Sequence, residues 1–106
     1  MPKYLLKVSY TADGAKGLLK DGGSKRREAA QGVVRSVGGS MEAFYYAFGS
    51  SDVYAIVDVP DAASAAAMSI ALSASGSVTS ELVVLLTHEE IDAAVKKTPS
   101  YTPPGR

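Results

Sequence analysis

Cysteine is absent from the 106 residues. That removes disulfides, thiolate zinc sites and cysteine nucleophiles from the chemistry this chain can perform. Histidine occurs once, as His88, and a lone imidazole specifies too little to build a metal centre. Net charge is also lacking, because 11 basic residues balance 11 acidic ones. A balanced chain gives no electrostatic reason to expect DNA, RNA or an anionic membrane as partner. Long apolar runs are missing too. The opening MPKYLLKVSY alternates lysine with apolar residues, unlike the continuous core of a signal peptide. The uncharged stretch 62–80 is interrupted by six serines, Thr79 and Gly76, short of the roughly 20 predominantly apolar residues of a membrane span. The expectation is a cytoplasmic protein that needs neither metal nor cofactor.

A chain of this length forms one domain with a modest core, for which a partner subunit is a natural source of further burial. Alternation over 3–10 predicts a first strand. A short helical turn over 12–20 and a longer helix over 24–37 follow, with Ser24 as N-cap and Gly38-Gly39 as stop. Ala30, Val33, Val34 and Val37 recur at helical spacing and form the buried stripe of the longer helix. Strands over 41–48 and 52–59 flank a turn at Gly49, Ser50 and Ser51. Asp61 caps an Ala-rich helix that ends before Gly76, and a fourth strand runs over 78–86. Thr87 and Glu90 have capping-box spacing for a short terminal helix, and TPSYTPPGR is an extended tail. The order strand, helix, strand, strand, helix, strand is that of an α+β, ferredoxin-like βαββαβ sandwich with a four-stranded antiparallel sheet. The domain is placed at 1–97 and the Pro-rich tail at 98–106.

These residues resemble the GYD-domain family of small bacterial proteins. The likeness runs from MPKYLLKVSYT through SKRREAA and its GG stop to AFYYAFGSSDVYAIVDVPD, and closes on VTSELVVLLTHEE. The resemblance implies a ferredoxin-like fold related to dimeric α+β barrels and carries no established activity. Gly49 and Asp52 match the Gly-x-Tyr-Asp signature, whereas Ser51 stands where the tyrosine would be.

Two stretches carry candidate chemistry. A two-residue Ser50-Ser51 turn would pair Phe48 with Val53, Tyr46 with Ala55 and Phe44 with Val57, making one apolar and aromatic face. The opposite face would hold Tyr45, Tyr54, Asp52 and Asp58. With the first and third strands taken as parallel central neighbours, Lys3 and Lys7 join that face. The functional reading is a polar pocket with lysines for an anion and a carboxylate as proton acceptor. The competing reading is a subunit interface with mutually satisfied Lys–Asp pairs, and Asp52 bonding its own turn. The second stretch, GGSKRRE, places Lys25 and Arg26 at a helix N-terminus that could receive an anion, although Gly-Lys-Ser phosphate-loop spacing is missing. Its plainer reading is a solvated helix face. Arg26 lies one turn before Ala30 and heads the buried stripe.

The Ala-rich helix is apolar on nearly every side, which predicts cover from a second subunit. The ligand-binding candidates are therefore Arg26, Tyr45, Asp52, Tyr54, Asp58 and Lys7. The leading reading is a homo-oligomeric module that binds a small, anionic molecule or regulates through it. The alternatives are a cofactor-independent isomerase or monooxygenase of the dimeric α+β barrel type, motivated by Tyr45, Tyr54, Asp52, Asp58 and Arg26 and requiring an enclosed pocket in which at least one carboxyl meets a tyrosine or arginine, and a purely structural assembly subunit.

Overall fold

The computed structural model describes residues 1–106. Strand β1 (Lys3–Tyr10) leads into two successive helices, α1 (Ala12–Asp21) and α2 (Gly23–Ser36). They are followed by β2 (Ser40–Tyr46), β3 (Val53–Asp58), α3 (Ala62–Ala74), β4 (Val78–Leu85) and α4 (His88–Val95). The four strands form one sheet in the order β2-β3-β1-β4, and every neighbouring pair is antiparallel. The architecture is α+β and ferredoxin-like. β1 and β3 are the central neighbours, but they run antiparallel and not parallel. In a split βαβ unit the strand inserted between the two parallel ones must run against both, which is the physical reason for this correction.

Alternation does the sorting. Tyr4, Leu6 and Val8 from β1 and Val53, Ala55 and Val57 from β3 are buried beneath the helices with Val34, Ala65, Met68 and Val78. Val34 of the predicted stripe is 1 % exposed, while Val33 and Val37 pack around it.

The junction between α1 and α2 differs from expectation. Gly22 adopts φ 82° and separates the helices, and α2 begins at Gly23 with no side-chain cap. Ser24 is already inside the first turn, so it does not act as N-cap. A left-handed residue at this corner leaves the capping position to glycine, which has no side chain to contribute.

Other caps follow the sequence. Asp61 Oδ1 accepts from Ser64 N at 2.8 Å, and this backbone hydrogen bond holds the Asp61 carboxyl below its ordinary range. The Thr87–Glu90 capping box is complete. At the start of α1, Thr11 N donates to the Ser77 carbonyl at 3.0 Å and Thr11 Oγ1 to the Gly76 carbonyl at 2.8 Å. These bonds draw α1 so close to the α3–β4 turn that Gly14 has no room for a side chain. A Cβ there would sit 1.9 Å from the Ser77 carbonyl oxygen.

The β2–β3 hairpin is shifted. Phe44 pairs with Ala55, Tyr45 with Tyr54 and Tyr46 with Val53, with a bulge between Met41 and Ala43. The register differs by two residues from the one a two-residue turn would impose. The connection instead spans Ala47 to Asp52, closed by Ala47 N donating to the Asp52 carbonyl at 2.8 Å. Because the shift is even, the side chains paired from Ala43 to Tyr46 and from Val53 to Ile56 keep their predicted faces. Phe48 leaves the sheet and is fully exposed. On α3, Ala65 and Met68 are buried, while Ile70 is 68 % exposed at the outer face. No helix is long and apolar enough to cross a membrane.

Candidate functional site

The sheet separates the predicted site residues onto two sides. Its open face, opposite the helices, consists of three rows that cross all four strands. Glu81, Lys7, Tyr54 and Tyr45 lie side by side in the first. Val83, Leu5, Ile56 and Ala43 form the second. Leu85, Lys3, Asp58 and Ser40 form the third. An apolar row is thus bordered on each side by a row bearing charge.

Those charges are paired within the chain. Lys3 Nζ contacts Asp58 Oδ1 at 3.0 Å and Glu42 Oε2 at 2.9 Å. The hydrogen bonds to Glu42 and then Asp58 raise the Lys3 ammonium above its ordinary value. Lys7 Nζ lies 3.6 Å from Glu81 Oε2. Tyr45 is 72 % exposed. Lys7, Tyr45, Tyr54 and Asp58 therefore share one open surface, as their parity predicts.

Asp52 and Arg26 do not join them. Asp52 stands at the end of the hairpin connection, where its Oδ2 accepts from Tyr10 N at 2.8 Å. Its own N–H donates to the Val8 carbonyl at 2.8 Å, so the carboxylate and N–H fasten the end of β1, while the carbonyl closes the connection with Ala47. Arg26 lies on the helix side, 3.5 Å from Asp21 Oδ2, with Lys25 also 3.8 Å from Asp21. In the single chain, Tyr45, Tyr54 and Asp58 lie together on an open face, where no enclosed pocket brings them to Asp52 or Arg26.

Two hollows occupy the helix side. An interior cavity of about 90 Å³ lies between α2, α3 and the sheet, walled by apolar residues such as Leu6, Phe44, Met68 and Leu72. Arg26 is the one charged residue in its wall. A more open cleft of about 530 Å³ lies between α1 and the hairpin, walled by Tyr10, Leu18, Gly23, Tyr46, Phe48 and Asp52 among others. Tyr10 belongs to both walls and so stands between the two spaces.

The cleft's polar groups are few and held. Tyr46 Oη donates to the Gly23 carbonyl at 2.8 Å, fixing the hairpin to the start of α2. Its ring meets Phe44 edge-on, with centroids 5.1 Å apart. Burial, followed by the neighbouring Tyr10 phenol, pushes the Tyr46 hydroxyl up to about 12, against a smaller opposing pull from Arg26. The phenol is therefore a neutral hydrogen-bonding group at physiological pH, not a base. Asp52 supplies a carboxylate at the rim, and Lys25 and Arg26 flank the uncapped start of α2.

The sequence places Tyr46 only on the packing face and singles out no role for Tyr10, yet both line the cleft. Their signal was present: a tyrosine at the end of a core-facing strand has a hydroxyl that needs a partner, so it marks where the core opens to polar surroundings. Ser51, at the position of the signature tyrosine, is 7 % exposed and forms part of the packed hairpin end. No group of three or more His, Asp or Glu side chains is arranged to hold a metal ion.

Comparison with known proteins returns no matching curated protein and no matching solved structure. The model of the GYD domain matches residues 4–95, covering all but the first residue of the sheet strands and all of the residues around the cleft. On that match, the chain belongs to the GYD domain family.

Proposed function

We propose that this GYD domain protein binds a small amphipathic acid in the cleft between α1 and the β2–β3 hairpin. The observation that carries this reading is a pair of neighbouring hollows that share Tyr10 as a wall, apolar on most sides, with Arg26 in the wall of the inner one. Magnitudes assign their roles. The cleft's 530 Å³ falls in the usual range of ligand sites, about 300–1,000 Å³. The inner cavity, at about 90 Å³, is below the ~150 Å³ that admits a benzene ring. Lys25, Arg26 and the positive end of the α2 dipole favour an anionic headgroup at the start of α2. Asp21 satisfies those cations only at long range, leaving them able to pair with a second anion.

Thermal-shift and calorimetric titration with straight-chain and aromatic carboxylates, against their alcohols and amides, tests the proposal. Acids with an apolar body should stabilise the protein, their neutral analogues should do so less, and Arg26→Gln should weaken acid binding by about tenfold, the effect of roughly 1.4 kcal/mol. Equal binding of acids and neutral analogues, or none by either, would contradict it.

A second reading is favoured by the open face. The row Val83, Leu5, Ile56 and Ala43 is uncovered in the single chain, between rows whose ion pairs are already closed. Such a face suits pairing with a second copy, consistent with the dimeric α+β barrel that the family resemblance implies. Light scattering across a concentration series tests it, with a dimer expected and a monomer at all concentrations ruling it out.

A further inference from the structure

The C-terminal arm, from Thr87 onward, has no home in its own chain. All eight residues of α4 are exposed, and so is nearly every residue of the tail after it. The radius of gyration is 16.9 Å and the longest axis 57 Å, whereas a compact chain of about 100 residues has a radius near 13 Å. The arm projects from the body. Yet α4 is built as a docked helix, opening with a full capping box and aligning Ile91, 46 % exposed, with Val95, 71 % exposed, one turn apart. Helices shorter than ~12–15 residues are marginal in water, and most of their stability in proteins comes from packing an apolar face. A helix this short with a bare apolar stripe needs a surface that its own body does not provide.

We infer that the arm docks on a second copy of this chain, each copy placing its α4 stripe on the other in a two-fold exchange. The inference rests on the pairing of open sheet faces proposed above. Four strands spaced by ~4.8 Å, with eight residues at ~3.3 Å each, present a face of roughly 500 Å². A stable interface buries about 800 Å² of accessible surface per partner, so apolar area beyond the sheet face strengthens such a pairing. The arm leaves β4 at Leu85, which is itself a member of the open face and pairs with Lys3. From that rim it is placed to continue the apolar surface onto a copy stacked against the face. Ile91 and Val95 add exposed apolar area to that face, and a two-fold exchange closes the assembly without leaving a free arm.

The test uses the full-length chain. Isotopically labelled and unlabelled protein are mixed, cross-linked through lysines and digested. Links from Lys96 or Lys97 to body lysines should appear as mixed-isotope pairs, and the double variant I91D/V95D should raise the dimer dissociation constant at least tenfold. Both substituted residues are exposed, so circular dichroism should show an unchanged fold. A dimer indifferent to I91D/V95D, or arm links confined to one isotope, would overturn the arm exchange while leaving face pairing intact. A monomer at all concentrations would overturn both.

Discussion

The backbone N–H of Tyr10 donates to the Asp52 carboxylate at 2.8 Å, joining the last residue of β1 to the residue just before β3. Asp52 returns the link through its own N–H to the Val8 carbonyl. This two-way fastening positions both the aromatic shared by the two hollows and the hairpin connection that carries Phe48. The signature aspartate thus shapes the cleft by holding its walls.

Removing that carboxylate leaves the partly buried Tyr10 N–H without its acceptor. Asp52→Ala should lower stability by about 1–2 kcal/mol, as expected for a lost charge-assisted hydrogen bond. Asp52→Asn retains an acceptor oxygen and should recover most of the loss. Urea denaturation measures both, and an Asp52→Ala midpoint equal to that of the parent would show that the bond is dispensable.

Gly14 permits the closest approach in the domain. A methyl group there would overlap the Ser77 carbonyl oxygen and stand 2.9 Å from Tyr10 Cδ1. Backbone cannot yield as a flexible side chain does, so Gly14→Ala should cost about 2 kcal/mol or more despite the better helix propensity of alanine. Thermal unfolding decides this, and a variant as stable as the parent would mean that α1 can move away from the α3–β4 turn freely.

Tyr46 supplies a pH test. Its hydroxyl is raised from an ordinary 10.0 to about 12, so the folded state favours the neutral phenol. Its contribution to stability is complete below pH 10 and is lost as pH rises from 10 through about 12, because the unfolded chain ionises there first. Ultraviolet titration of the folded protein should show one phenol ionising near 12, absent in Tyr46→Phe. If Tyr46→Phe leaves the high-pH end of the titration unchanged, the burial of that hydroxyl beside Tyr10 is wrong.

Local pattern made most of the fold legible. Alternation located all four strands and their faces, and glycine and capping residues located the helices. What was not legible depended on contacts distant in sequence. A two-residue turn is the natural reading of GSSD, but Asp52 is drawn to Tyr10, 42 residues away, and this lengthens the connection to Ala47–Asp52. The bulge near Glu42 absorbs a further residue of register. Both deviations arise from packing at the sheet ends, where local propensity carries no information. The direction of β1 against β3 required only topology, and the parallel reading missed it.

The site divides in the same manner. Parity correctly grouped Lys7, Tyr45, Tyr54 and Asp58 on one face. The reading of mutually satisfied Lys–Asp pairs holds for Lys3 with Asp58, whereas the closing of Lys7 by Glu81 depends on the register of β4 and was not legible. Arg26 was legible as the polar head of an apolar stripe. The cleft was not, because Leu18, Tyr46 and Phe48 come together only once the broken helix α1–α2 packs beside the shifted hairpin.

The most direct test of the central claim is amide chemical-shift mapping during titration with a medium-chain carboxylate. Binding in the cleft predicts saturable shifts at Tyr10, Leu18, Gly23 to Arg26 and Tyr46 to Phe48, with Leu5, Ile56 and Val83 unmoved. Shifts centred on Leu5, Ile56 and Val83, or none that saturate, would contradict the account.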